Sequence, residues 1–129
     1  MALDASHIRI RFSNAFGATS LPITAVTVAL PADGAAGSAA IQPHTLQTVT
    51  FSGSKSFTIP DGALIVSDPL EFPVKAQSMI TVTVFLAGGQ RGFDITSHPG
   101  SRTTSWFQFG NSVGATNLTD SSLQSVAHW

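Results

Sequence analysis

The run MITVTVFL, residues Met79 to Leu86, gives the clearest indication of the fold class. Its side chains alternate between two faces, one carrying Ile80, Val82, Val84 and Leu86 and the other carrying Thr81, Thr83 and Phe85. This alternation is the period of a β-strand, because successive side chains point to opposite sides of a sheet. We therefore expect a strand here and place it in the centre of a sheet.

Similar runs recur along the whole chain, and glycine or proline residues separate them. No long stretch has apolar residues at helical spacing. Further strands are expected at Ile8 to Phe12, Ile23 to Leu30, Thr48 to Phe51, Ser56 to Ile59, Ala63 to Val66, Phe93 to Thr96 and Arg102 to Phe109. This pattern predicts an all-β fold, a two-sheet antiparallel β-sandwich of jelly-roll or Greek-key type with eight or nine strands.

Three other segments carry predictions of their own. Residues 52–55 (SGSK) contain a glycine between two strand runs and predict a hairpin. Residues 69–73 (PLEFP) are expected at a sheet edge or in an extended loop, because proline cannot donate a backbone hydrogen bond. Residues 110–129 form a polar tail that either adds a final strand or stays loose, and Trp129 is expected to fill the core or an oligomer interface.

The composition of the 129-residue chain limits what it binds. Charged residues make up 10% of the sequence, and the formal net charge is -1. Without a charge cluster, neither a nucleic acid nor an anionic membrane surface is an expected partner. The chain has no cysteine and no apolar run of about 18 residues, so it predicts neither thiol chemistry nor a membrane span and leaves the cellular location open. We expect a single domain over residues 1–129.

The sequence contains no recognisable catalytic motif. A serine hydrolase needs a nucleophile, a histidine and a carboxylate, and neither a Gly-x-Ser-x-Gly nor a Gly-Asp-Ser block is present. Glu71 is the only glutamate, so a carboxylate pair for glycoside hydrolysis would need two aspartates from turns. Four histidines lack the spacing of metal ligands: His7, His44, His98 and His128. We therefore expect a non-catalytic protein that needs no metal or cofactor.

A candidate ligand site lies in residues 94–109, DITSHPGSRTTSWFQF. Proteins bind sugars by stacking the apolar face of the sugar on an aromatic ring, while polar side chains bind the hydroxyl groups. We predict a carbohydrate site formed by Asp94, His98, Arg102, Thr104 and Trp106. Trp106 has an alternative place in the core, since one of the two faces of its strand must point inward.

The triplet Asn117-Leu118-Thr119 is an acceptor for N-glycosylation in a polar stretch of the chain. Glycosylation of Asn117 would matter only if the protein enters a secretory pathway.

Much of the chain resembles a known family, the N-terminal β-sandwich domain of fungal GDSL/SGNH-type hydrolases. The resemblance is carried by residues 8–17 (IRIRFSNAFG), 21–30 (LPITAVTVAL), 65–73 (IVSDPLEFP) and 97–106 (SHPGSRTTSW). In those enzymes the domain precedes an α/β catalytic domain, and residues 125–129 (SVAHW) are similar to the join before the Gly-Asp-Ser strand. The catalytic serine block has no counterpart here, so the resemblance transfers no esterase activity to any residue.

These residues and the resemblance lead to two hypotheses. In the first, the chain is a stand-alone lectin that binds glycans or glycoproteins and self-associates into a homo-oligomer, because single lectin sites are weak and several sites together gain avidity. In the second, the chain is the accessory domain of an SGNH/GDSL esterase, isolated from its catalytic domain. The sequence runs from Met1 to Trp129 as if complete, which makes the lectin the first expectation.

Overall fold

The structure is a computed structural model that describes residues 2–98, 100, 102–120 and 122–127. Its strands are β1 (Ala5–Ile8), β2 (Arg11–Ser13), β3 (Leu21–Ile23), β4 (Ala25–Ala29), β5 (Gln47–Thr48), β6 (Phe57–Ile59), β7 (Leu64–Val66), β8 (Leu70–Val74), β9 (Thr81–Phe85), β10 (Ser105–Phe107) and β11 (Gln124–Val126). A single 3-10 turn at Pro43–Thr45 is the only helical element in these ranges, and no helix among them is long and apolar enough to cross a membrane.

The strands pair only in antiparallel fashion, in the combinations β1-β8, β2-β7, β3-β6, β5-β4-β9 and β10-β11. The all-β, sandwich-like class predicted from the sequence is therefore confirmed. The described part of the chain has eleven strands, more than the eight or nine expected, because irregular residues divide several predicted strands. Of the two alternatives left open for the polar tail, a final strand occurs as β11, whereas His128 and Trp129 lie outside the described residues.

Ser67 accounts for one of these divisions. Two residues separate Ile8 from Arg11, but three separate Leu70 from Val66 on the paired segment, so one segment carries an extra residue. The buried Ser67 side chain compensates for the irregularity, because its Oγ accepts a hydrogen bond from the backbone N–H of Ile10 at 2.9 Å. Its hydroxyl also donates to the Asp68 carbonyl at 2.8 Å. Both polar groups are thus satisfied where the regular ladder is interrupted.

The central strand is β4, and the prediction that Met79 to Leu86 would be central was wrong. β4 pairs with both β5 and β9, whereas β9 pairs only with β4 among the described strands. Val28 and its cross-strand partner Val82 share one face of this sheet, yet Val28 is 0% exposed and Val82 is 37% exposed. An edge strand has a neighbour on one side only, which leaves its apolar side chains less covered.

The second face of β4 is also covered. Thr27 is 6% exposed, and its Oγ1 donates a hydrogen bond to the carbonyl oxygen of Val113 at 2.7 Å. Ala29, on the same face, is 2% exposed. The polar C-terminal segment therefore packs on β4 and is anchored to it by a side chain.

Of two other local predictions, one is confirmed in part and one was wrong. Residues 52–55 do contain a tight turn, closed by a hydrogen bond from Phe51 N to the Ser54 carbonyl at 2.8 Å. Phe51 and Ser54 pair as an antiparallel bridge, so a minimal hairpin exists as predicted. It does not extend into the flanking strands, because β5 pairs with β4 and β6 pairs with β3. Residues 93–96 form no strand. The proline-rich segment 69–73 contains most of β8, which pairs only with β1 in the described chain, as expected for a sheet edge.

The hydrophobic core joins residues from most of these strands. The rings of Phe51 and Phe57 lie 3.7 Å apart between centroids, and Phe12 lies about 6 Å from each. The buried cluster consists of Ile8, Ile23, Val26, Val28, Val49, Phe51, Ile59, Leu70, Phe72 and Val74. Because this core draws on residues from positions 8 to 74, it is formed by contacts that are distant in sequence.

Asn14 attaches the loop after β2 to the turn after β6. Its side chain is buried, and Nδ2 donates to the carbonyl oxygens of Thr19 at 2.8 Å and Pro60 at 3.1 Å. The backbone N–H of Gly17 donates to the Asn14 carbonyl at 3.1 Å, and a Cβ added at Gly17 would overlap the Asn14 side chain. Gly17 is therefore required by space rather than by backbone conformation.

Replacing Gly17 by alanine should lower the free energy of unfolding by about 2 kcal/mol, since the buried Asn14 side chain cannot move aside without losing its hydrogen bonds. Urea denaturation measures the change. Gly88→Ala is the matched control, because a Cβ there meets nothing within 4 Å, and it should change stability by less than about 0.5 kcal/mol. Equal stability of the two variants would contradict the assignment.

Candidate functional site

The residues predicted to bind carbohydrate lie on irregular chain, except for Trp106. Asp94, His98, Arg102 and Thr104 are exposed and outside regular strands, while Trp106 is half-buried within β10. The contacts around this region show which loops hold each part of it.

Trp106 is fixed by the loop before Ile41. Its Nε1–H donates a hydrogen bond to the carbonyl oxygen of Gly37 at 2.8 Å. Gly37 also lies close to Thr104, since a Cβ added to Gly37 would be 3.2 Å from the Thr104 Cβ. Trp106 is absent from the buried core cluster, and its N–H is already used inside the protein. The indole therefore occupies a position between the two alternatives, packed against a loop at the surface.

Asp94 belongs to a segment that contacts a different loop. Thr96 Oγ1 accepts a hydrogen bond from the backbone N–H of Phe16 at 2.9 Å. Thr19 Oγ1 donates to the Arg91 carbonyl. These bonds attach residues 91–96 to residues 16–19, whereas Thr104 and Trp106 are attached to Gly37. The two parts of the predicted site are thus held by separate loops.

A cleft next to Trp106 combines aromatic and polar groups. β10 and β11 form an antiparallel strand pair in which Phe107 lies opposite Gln124. Beside this strand pair is an open surface depression of about 330 Å³, which we call the β10–β11 cleft, lined by Phe107, Gln108, Phe109, Ser122 and Gln124. Phe107 is 57% exposed and Phe109 is 85% exposed. Two phenyl rings are therefore presented to solvent beside amide and hydroxyl groups.

A hydrogen-bond chain fixes one wall of the cleft. The backbone N–H of Phe109 donates to Ser122 Oγ at 2.9 Å, and the Ser122 hydroxyl donates to Asp120 Oδ1. The same oxygen of Asp120 accepts the backbone N–H of Ser122 at 2.7 Å. These bonds stabilise the charged carboxylate, so the hydroxyl of Ser122 first, and then its backbone N–H, lower the pKa of Asp120. Asp120 is consequently an anion at neutral pH.

Gln108 contributes an unusual polar group to this region. Its Nε2 donates to Ser112 Oγ, while its Oε1 is buried and has no hydrogen-bond partner among the described residues. A buried acceptor without a partner typically costs about 1–3 kcal/mol.

The cleft combines two aromatic rings with carboxamide and hydroxyl groups. Aromatic rings take up apolar C–H faces, and carboxamide and hydroxyl groups form hydrogen bonds with ligand hydroxyls. None of the five lining residues carries a charge. In the described part of the chain, no group of three or more His, Asp or Glu side chains is placed to hold a metal ion.

The site predicted from the sequence includes Trp106, which is next to Phe107, but it includes none of the residues that line the cleft. Phe107 and Phe109 were visible as one face of the predicted strand, and either face could have pointed inward. Ser122 and Gln124 come from the polar tail, where no periodicity indicated a strand. Their proximity to Phe107 follows only from the pairing of β10 with β11.

Replacing Trp106 by phenylalanine should lower the free energy of unfolding by about 1 kcal/mol, because the Gly37 carbonyl loses its donor while most of the packing is kept. Chemical denaturation checks this value. Phe109→Ala is the control, since its ring is largely exposed, and it should change stability by less than about 0.5 kcal/mol. A Trp106→Phe protein as stable as the original would show that the indole N–H contributes nothing.

The chain matches no known protein-family model, and no curated protein matches it significantly. The interpretation of the cleft therefore rests on its own residues and geometry.

Proposed function

We propose that the chain is a non-catalytic, lectin-like protein that binds carbohydrate in the β10–β11 cleft. The observation that carries this proposal is the exposure of Phe107 and Phe109 beside the polar side chains of Ser122 and Gln124. Pyranose rings have apolar C–H faces and hydroxyl groups at their edges, so they match both kinds of group in the cleft.

The exposure of the two phenyl rings makes it energetically favourable for a ligand to cover them. Fully burying a phenylalanine side chain contributes roughly 1.5–3 kcal/mol relative to leaving it in water. Phe107 and Phe109 forgo most of this gain in the free chain, because they are 57% and 85% exposed. A ligand that covers both rings recovers part of it. The same calculation applies to any apolar ligand, and the neighbouring amide and hydroxyl groups favour a sugar.

The proposal includes self-association and glycosylation. β9 has a free edge among the described strands, contains no charged residue, and exposes Val82 and Val84. Strand edges without charges or prolines readily pair with other chains, so a homo-oligomer with several cleft copies would gain avidity. Asn117 is exposed, as an acceptor for an N-linked glycan must be.

Replacing Phe109 by alanine should reduce glycan binding about tenfold, which corresponds to about 1.4 kcal/mol. The reason is the loss of the more exposed ring of the cleft. Retention on a glycan array, followed by titration of the retained glycan, measures the effect. Phe93→Ala is the matched control, because Phe93 is also a largely exposed phenylalanine, does not line the cleft and should leave binding unchanged.

If the unmodified chain binds no glycan on a broad array, the carbohydrate proposal is wrong. Binding that survives Phe109→Ala but fails in Phe93→Ala would move the site away from the cleft.

A second candidate function is that of an accessory domain in an SGNH/GDSL esterase. It is favoured by three exposed apolar side chains on two joined loops, those of Phe16, Phe93 and Ile95. These residues are 77%, 104% and 50% exposed, and their loops are joined by the hydrogen bond from Phe16 N to Thr96 Oγ1. Large apolar side chains that remain in water on joined loops are candidates for a protein interface.

If the accessory function holds, Phe93→Ser should abolish association with a separately expressed catalytic domain of a fungal SGNH/GDSL hydrolase. Polar substitution removes apolar area from the interface, whereas Phe109→Ala changes only the cleft and should leave association intact. Analytical ultracentrifugation of the mixed proteins measures the complex. Failure of the unmodified chain to associate would count against the accessory function.

A further inference from the structure

The hydrogen-bonding capacity of Ser122 in the β10–β11 cleft is largely set by its neighbours. A serine hydroxyl has one proton to donate and two lone pairs that accept. The proton is donated to Asp120 Oδ1, and one lone pair accepts the backbone N–H of Phe109 at 2.9 Å. Ser122 Oγ therefore offers a ligand only its remaining lone pair, which means that the ligand must supply the donor.

The negative charge of Asp120 beside the cleft also disfavours ligands with anionic groups. Asp120 is held as an anion by its bonds to Ser122, and no cationic side chain lines the cleft in the described part of the chain. Carboxylate and sulfate groups have oxygen acceptors but no donor, and they carry a negative charge. Such groups fail to bond with Ser122 and are repelled by Asp120. A sugar hydroxyl, by contrast, donates a hydrogen bond and is neutral.

Resting on the carbohydrate-binding function proposed above, we propose that the β10–β11 cleft selects neutral glycans and excludes glycans that carry uronate or sulfate groups. In the bound state, a sugar hydroxyl donates to Ser122 Oγ while the apolar face of the ring lies on Phe107 or Phe109. Gln124, which is exposed at the rim, provides both a donor and an acceptor for further hydroxyls.

The two exclusion effects differ in size. A unit negative charge about 6 Å from Asp120 in a water-like dielectric loses about threefold in affinity. This part weakens in high salt, because mobile ions screen exposed charges. Opposing an acceptor on the ligand to the lone pair of Ser122 costs a further factor of about ten, and salt does not relieve it.

Isothermal titration calorimetry of the whole chain tests this selection with two defined sets of probes. The neutral set consists of cello-, laminari- and chito-oligosaccharides, and the acidic set consists of oligogalacturonate and heparin-derived oligosaccharides. At least one neutral probe should bind, and every acidic probe should bind at least about tenfold more weakly than that probe at low salt.

The Asp120→Asn variant separates charge from shape. Asparagine keeps an oxygen that accepts the Ser122 bonds, so neutral binding should stay unchanged while acidic binding improves about threefold at low salt. Asp33→Asn is the matched control, because Asp33 also accepts a backbone N–H in a turn, from Ala35 at 3.0 Å, whereas Asp120 alone of the two is hydrogen-bonded to the cleft residue Ser122. It should alter neither set. Circular dichroism verifies that the variants are folded, and if Asp120→Asn is not, the two probe sets on the unmodified chain decide alone.

Each result distinguishes the two proposals. An acidic probe that binds as tightly as the neutral ones overturns the selectivity and leaves carbohydrate binding standing, and so does an Asp120→Asn protein with unchanged acidic binding. If no probe of either set binds, carbohydrate binding fails and the selectivity fails with it.

Discussion

The burial of strand β4 on both faces is the feature that organises the molecule. Val26 and Val28 face the core and are 0% exposed, while Thr27 on the opposite face is covered by the C-terminal segment. A polar side chain tolerates this position only when it is hydrogen-bonded, and Thr27 meets the requirement through the Val113 carbonyl. That bond attaches the segment between β10 and β11 to β4, and so helps to position the strand pair beside the cleft.

The sequence predicted the fold class because the alternation of apolar and polar residues is a local property. It could not show which of two similar strands lies in the centre of the sheet and which lies at its edge. ITAVTVAL at 23–30 and MITVTVFL at 79–86 have almost the same pattern, and the more apolar-looking second run became the edge. The difference is that β4 pairs with β5 as well as with β9, and that its threonine face is covered by residues more than eighty positions away, such as Val113 for Thr27. The extra residue at Ser67 likewise needs Ile10 as its partner.

The candidate site shows the same division between local and distant information. Trp106 and its phenylalanine neighbours were recognisable by residue type, yet their exposure was not, because the loop at Gly37 covers the indole and leaves the phenyl rings free. The hydrogen-bond polarity of the cleft depends on the chain Phe109–Ser122–Asp120, which joins two strand ends. No spacing in the sequence reveals that the Ser122 hydroxyl already donates one hydrogen bond and accepts another. The grouping of Asp94, His98 and Arg102 with Trp106 stays a prediction.

In our proposal, the ligand binds in the β10–β11 cleft. Titration of the isotopically labelled chain with neutral oligosaccharides, followed by nuclear magnetic resonance, tests this location residue by residue. We expect the amide signals of residues 105–109 and 122–126 to move, while those of β1 and β8 stay in place. Shifts confined to residues 94–98, or no shifts at saturating ligand, would contradict the proposal.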